Sequence, residues 1–168
     1  MTVAELLHDL FGRVAENVHG AVEGLDLDAL THRVGAGANS IAWLVWHLTR
    51  VQDDHVSEVA GAEQTWTADG WVERFGLPFP VGAIGYGQSS DEVAAVRADA
   101  ALLLGYFDAV QARTLQYVDG LTDDDLDRVV DRRWEPPVTL GVRLVSVADD
   151  DLQHAGQAAF VRGVVERS

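Results

Sequence analysis

The 168-residue sequence contains no cysteine. Disulfides, thiolate metal ligands and a cysteine nucleophile are therefore excluded, and any thiol chemistry must draw its thiol from outside the chain. Positive charge is also scarce: 12 Lys and Arg face 27 Asp and Glu, for a formal net charge of −15. Such a surface repels phosphate backbones and anionic headgroups, so neither nucleic acid nor a membrane is an expected partner. No apolar run approaches the roughly 20 residues needed to cross a bilayer. The N-terminal stretch carries Glu5, His8 and Asp9 where a signal peptide would be basic and then apolar. A cytoplasmic location is the expectation. Proline is rare and confined to two places, Pro78 with Pro80 and Pro136 with Pro137, which leaves long stretches free to be helical.

Apolar residues make up 48% of the chain and charged ones 23%, which fits a globular protein of one domain over residues 1–168. Val3, Leu7, Leu10, Val14, Val18, Ala21 and Leu25 recur at steps of three and four, the signature of an amphipathic helix over 2–24. His8 and His19 fall off that stripe and read as surface residues. Asn39 or Ser40 can cap a second helix running to Ala60. A shorter helix is expected over 65–75, and LPFPVGAIGYGQSS then concentrates Pro and Gly as a long ordered loop, a kind that commonly serves a site. Ser89 and Glu92 form a capping box for a third helix, whose stripe runs from Val93 through Leu103, Phe107, Val110 and Thr114 to Leu121. Thr122 and Asp125 predict another cap, so the run Asp123, Asp124, Asp125 reads as favourable charge at a helix start. RRWEPPVTL is a connector, and Thr139 caps a fourth helix over 140–166. With no convincing strand alternation, the expected fold is all-α, a four-helix bundle with a long connection between its second and third long helices.

Three residues then stand out. Asp150 and His154 are four apart on the fourth helix, so both project from one face, and His47 lies on the second helix. A carboxylate on an apolar stripe needs a cation, a hydrogen-bond network or water, because burying it unpaired costs several kcal/mol. Two imidazoles and a carboxylate suit one divalent ion, zinc foremost, with nickel, iron or manganese also compatible, and leave positions open for water or substrate. Asp151, three residues before His154, competes with Asp150 for the ligand role. A metal-free Asp–His network is the alternative for the whole cluster. His55 lies nearer the centre of its stripe and reads as a core or supporting histidine. His47 shares an edge with Trp43, Arg50 and Asp54, which looks like a pocket wall, and Trp43 is close enough to line it. The sequence holds no serine in a recognisable nucleophile turn, and GAIGYG lacks the following Lys-Ser/Thr of a phosphate loop.

WHLTR around His47, DLQHAGQ around His154 and the helix order together resemble the DinB-like metalloenzymes, a group that includes mycothiol-dependent maleylpyruvate isomerases and thiol S-transferases. The resemblance implies a bundle that binds zinc or another divalent metal through His47, Asp150 and His154. Aspartate at the first position of the last-helix pair departs from the His or Glu of the family pattern, and its shorter side chain must bring the carboxylate closer to the ion than glutamate would, which bears on metal identity and affinity. Gln157 corresponds to a pocket residue of that pattern. The implied chemistry is activation of a low-molecular-weight thiol such as mycothiol and its delivery to a small electrophilic substrate. Arg50 would hold a carboxylate of thiol or substrate through its planar fork, the competing reading being a surface ion pair with Asp53 or Asp54. In a hydrolase variant of the chemistry, Asp54 or His55 would be the general base. A flat outer helix face can support a homodimer.

Overall fold

Thr2, Ser40, Asp99 and Thr139 each accept a hydrogen bond from the amide three residues on, at 3.1, 3.2, 2.8 and 3.4 Å, and each opens a long helix. In the computed structural model, which describes residues 1–167, these helices are part of a series. α1 spans Val3–Val22, α2 Leu27–Thr31, α3 Ile41–Ala60, α4 Thr65–Ala68, α5 Trp71–Phe75, α6 Ser90–Ala95, α7 Ala100–Asp119 and α8 Leu140–Val165. α3 packs on α8 and α7, and α1 packs on the same two, so the four long helices close a ring around an apolar core. Leu44, Leu48, Phe107, Val110, Val147 and Ala158 are among its sealed residues. The chain is therefore an all-α bundle, and among the described residues no helix is long and apolar enough to cross a membrane.

Four local details differ from the expectation. Asp26 caps an extra turn, α2, by accepting from Ala29 at 2.9 Å. The helix expected over 65–75 divides at Gly70, which takes a left-handed conformation with φ of 71°. The third long helix is not continuous from Ser89. It breaks after Ala95, and Asp99 starts α7 afresh, because the Asp99 carboxylate captures the Leu102 amide. Finally, Val129–Asp131 and Val138–Thr139 pair as a two-stranded antiparallel hairpin around the Arg-Trp-Glu-Pro-Pro turn, where no strand was expected. Thr122 does form its reciprocal pair with Asp125, but the turn that follows is a 3₁₀-helix, Asp123–Asp127.

The long connection between α3 and α7 is fastened to α3 one turn at a time. Buried Asp53 accepts from the Thr65 and Trp66 amides at 2.8 and 2.7 Å, which caps α4, and from the Tyr106 hydroxyl at 2.8 Å. Trp66 Nε1 then donates to Val81 O at 3.0 Å, Arg50 Nε to Ala83 O at 3.2 Å, and Trp43 Nε1 to Gln88 Oε1 at 2.6 Å. The loop that sequence marked only as Pro- and Gly-rich is thus laid along the α3 face that carries His47.

Candidate metal centre

α3 and α8 are the helices that pack most extensively on each other, and their seam brings His47, Asp150 and His154 together. One ligand-type atom from each lies within 4.8 Å of the other two. His47 is 2% exposed, and the two α8 side chains are each 18% exposed, so the cluster is largely enclosed and its α8 members are the more open.

The hydrogen bonds fix which nitrogens are available. His47 Nδ1 contacts the Ile84 carbonyl, and a carbonyl only accepts, so Nδ1 carries the proton and Nε2 keeps its lone pair. The same holds for His154, whose Nδ1 donates to its own helix at Asp150 O, 2.7 Å away. Such second-ring contacts orient imidazoles for a metal. Burial lowers the pKa of His47 and the nearby His154 lowers it further, against the raising influence of Ile84 O and Asp150, so the net shift is downward and the ring stays neutral. Burial also pulls His154 down, but its contacts with Asp150 outweigh this and its pKa ends above the ordinary value. Asp150 Oδ2 is sealed from solvent and lacks a well-aligned hydrogen bond, although His154 Nδ1 is 3.2 Å away. A carboxylate oxygen without a well-aligned hydrogen bond, grouped with two imidazoles whose Nε2 atoms are uncommitted, is a donor set that fits a divalent cation.

Asp151 does not compete for this position. It is completely buried, neither oxygen has a hydrogen-bond partner among the described residues, and burial together with the Asp150 charge pushes its pKa well up.

The wall of the site comes from α3 and the loop. Trp43 stacks on His47 with ring centroids 4.7 Å apart and planes 18° apart. Tyr86, 62% exposed, meets His47 edge-on at 5.2 Å. Between Ile84 and Tyr86, Gly85 has φ of +104°, and a Cβ there would stand 2.5 Å from His47 Nδ1 and 3.2 Å from the Trp43 ring. Only glycine lets the loop approach this closely. Ile84, Gly85 and Tyr86 were not singled out from sequence; the one available signal was the GAIGYG run itself.

Other sequence candidates fall elsewhere. Arg50 is fully buried, and its guanidinium bonds to Ala83 O, Gln64 Oε1 and Tyr106 Oη with Asp53 at 3.6 Å. It is neither a surface ion pair nor open to a substrate carboxylate; it holds the loop from beneath. Asp54 lies two turns beyond His47 and lines a separate polar cavity with His55. Gln157 is exposed on α8 and lines a surface cleft with Ala38 and Phe160. Trp134, part of the expected RRWEPPVTL connector rather than a singled-out candidate, projects from the hairpin, 66% exposed. A larger cleft of about 590 Å³ lies between the end of α3 and α7, but it contains none of the cation-binding set, so donor chemistry rather than volume locates the site.

A model of the DinB superfamily matches residues 10–158. The chain belongs to the DinB superfamily. A crystal structure of a conserved protein from Enterococcus faecalis is similar to this DinB chain at 31% identity and a TM-score of 0.92, covering 100% of this chain and 99% of that one. No curated protein gives a significant match. The expected DinB-like fold is thus established, together with a His, Asp, His group able to hold a metal.

Proposed function

We propose that this DinB protein is a divalent-metal enzyme that binds a low-molecular-weight thiol such as mycothiol and uses it in transfer to, or isomerisation of, a small electrophile. One observation carries the metal part of this reading: His47 and His154 commit Nδ1 to carbonyls, which leaves Nε2 uncommitted, and both are grouped with Asp150, whose sealed Oδ2 has no well-aligned hydrogen bond. Zinc suits this mixed set best, with nickel, iron or manganese as alternatives. When bound, such a cation lowers the pKa of a thiol or water beside it. The family resemblance supports a thiol as co-substrate, and the cysteine-free composition requires it to come from outside.

The chain's own groups arrange the chemistry. Trp43 and the Ile84 carbonyl hold the His47 ring in one orientation. Arg50 contributes from the core, by fixing the Ala83 carbonyl and with it the loop. Burial and the negative charges of Asp150 and Asp54 raise the Tyr86 pKa, so its hydroxyl stays protonated at the mouth and can donate to an incoming substrate. The test is turnover of an activated aryl halide or an unsaturated keto acid by zinc-loaded protein, with mycothiol, bacillithiol, glutathione or no thiol. Turnover is expected only with thiol and is lost in His154→Ala. Thiol-independent hydrolysis would contradict thiol use and favour a hydrolase.

A further inference from the structure

Arg143 lies seven residues before Asp150 on α8, and Asp54 and His55 lie seven and eight residues after His47 on α3. Two helical turns advance about 10 Å, so these residues form the next station along the same seam. They line a polar cavity of about 390 Å³ with Glu58, Gln64 and Arg133. The two stations are electrostatically in touch, since the Asp150 charge acts on His55 and the Asp54, Asp150 and Arg143 charges all act on Tyr86.

His55 has a definite polarity here. Arg143 Nη1 lies 2.8 Å from His55 Nδ1, and a guanidinium can only donate. Nδ1 is therefore the unprotonated nitrogen, and the proton of the neutral ring is on Nε2. Among the described residues Nε2 has no hydrogen-bond partner, and as part of the cavity lining it is a free N–H donor. With Nδ1 engaged by Arg143, His55 is not free to act as the general base of a hydrolase variant, which leaves Asp54 as that candidate. Asp54 Oδ2 stands 3.5 Å from His55 Nδ1, so its carboxylate borders the same cavity from the other side of the ring; Asp54 is one-third exposed and receives a hydrogen bond from Gln64 Nε2 at 2.7 Å, which leaves further lone pairs. A donor and an acceptor lining one cavity match a group that offers both, such as an amide, whose N–H and C=O point to opposite sides.

Charge argues against an anion. Arg143 is already occupied by His55, Asp131 and Glu58, and Arg133 grips Asp131, whereas Asp54 and Glu58 keep open carboxylate faces. An ammonium, in turn, would face the His55 N–H with nothing to accept it.

We propose that His55 Nε2–H and the Asp54 carboxylate form a subsite for an uncharged amide carried roughly 10 Å from the metal-binding end of the ligand. The inference rests on the thiol reading above and specifies which part of the thiol is recognised away from sulfur. Pantetheine is a suitable probe: it is an uncharged thiol whose second amide is roughly 8 Å from sulfur when extended.

Long-range proton–nitrogen correlation spectra of metal-free protein should show His55 as the Nε2–H tautomer, with that resonance shifting when pantetheine is added and not with ethanethiol. An Nδ1–H tautomer, or no shift, would overturn the subsite. In cobalt-loaded protein, titration of the thiolate absorption band should give tighter binding of pantetheine than of ethanethiol or mercaptosuccinate. The pantetheine-to-ethanethiol ratio should fall about 5-fold in His55→Leu, the worth of one hydrogen bond. His55→Gln, which can still accept from Arg143 and donate to the cavity, should recover most of the ratio. An unchanged ratio in His55→Leu, or preference for mercaptosuccinate, would overturn the proposal. Absence of a thiolate band with every thiol would sink the thiol reading, while the shift in metal-free protein still decides the subsite.

Discussion

Gly85 is the residue on which the metal centre is most sensitive to a single methyl group. Its positive φ suits glycine, and the space a Cβ needs is occupied by His47 Nδ1 and Trp43. Gly85→Ala must move the loop or the imidazole, and with either the Ile84 contact that fixes the His47 tautomer. Loss of such an orienting contact lowers metal affinity roughly 10- to 100-fold. Competition titration against a chromophoric chelator measures this, and unchanged affinity would show that the Ile84 contact is dispensable. At this scale the candidate His, Asp, His cluster was legible in sequence and its support was not. His154 and Asp150 announce themselves by i,i+4 spacing and by an acid interrupting an apolar stripe, whereas a carbonyl from Ile84 carries no side-chain signature. Choosing between Asp150 and Asp151 required three dimensions, because neighbouring helix positions differ only in which way they face. The structure buries Asp151 completely and groups Asp150 with the two histidines.

Among elements, the connection between α3 and α7 depends on a polar knot inside the bundle. Asp53 caps α4, accepts from Tyr106 and balances Arg50, which in turn holds Ala83. Removing one partner of a buried ionic group strands the other, at a cost of about 3–5 kcal/mol. Asp53→Ala should lose that much in urea denaturation and should also release the loop, seen as faster amide exchange at Ala83 to Gln88. A loss below about 1 kcal/mol would mean that water replaces the carboxylate without penalty. Sequence could not reveal this knot, since Arg50 and Asp53 at i,i+3 look the same whether solvated or buried. The helices themselves were legible from caps and periodicity, including the full course of α8. The break between α6 and α7 was hidden because the apolar register continues across it, while Asp99 quietly supplies a competing cap.

For the molecule as a whole, the ring of long helices is tied across its seams by contacts of unequal pH sensitivity. His19 on α1 reaches Asp108 on α7 at 2.8 Å and Glu23 on its own helix at 2.8 Å. Asp108 first, and then Glu23, raise its pKa above the ordinary 6.5, against a smaller lowering by burial. A raised folded-state pKa means that this contribution is fully present below the unfolded value and is lost as pH rises through the folded one. His19→Gln should therefore cost more stability at about pH 5.5 than at about pH 9, by a fraction of a kcal/mol because the pair is partly solvated. Equal costs at both pH values would show that the imidazole acts only by packing against Phe107.

The bundle's principal consequence is that α3 and α8 present two imidazoles and one carboxylate to a single point, and the central claim is that this point holds one divalent cation. The most direct test is equilibrium dialysis of the untagged protein against zinc, read by elemental analysis, beside His47→Ala, Asp150→Ala and His154→Ala. The account predicts one tightly held zinc per chain in the parent protein, loss of tight binding in both histidine variants, and weakened binding in Asp150→Ala. Sub-stoichiometric zinc in the parent, or equal zinc in parent and His154→Ala, would contradict it.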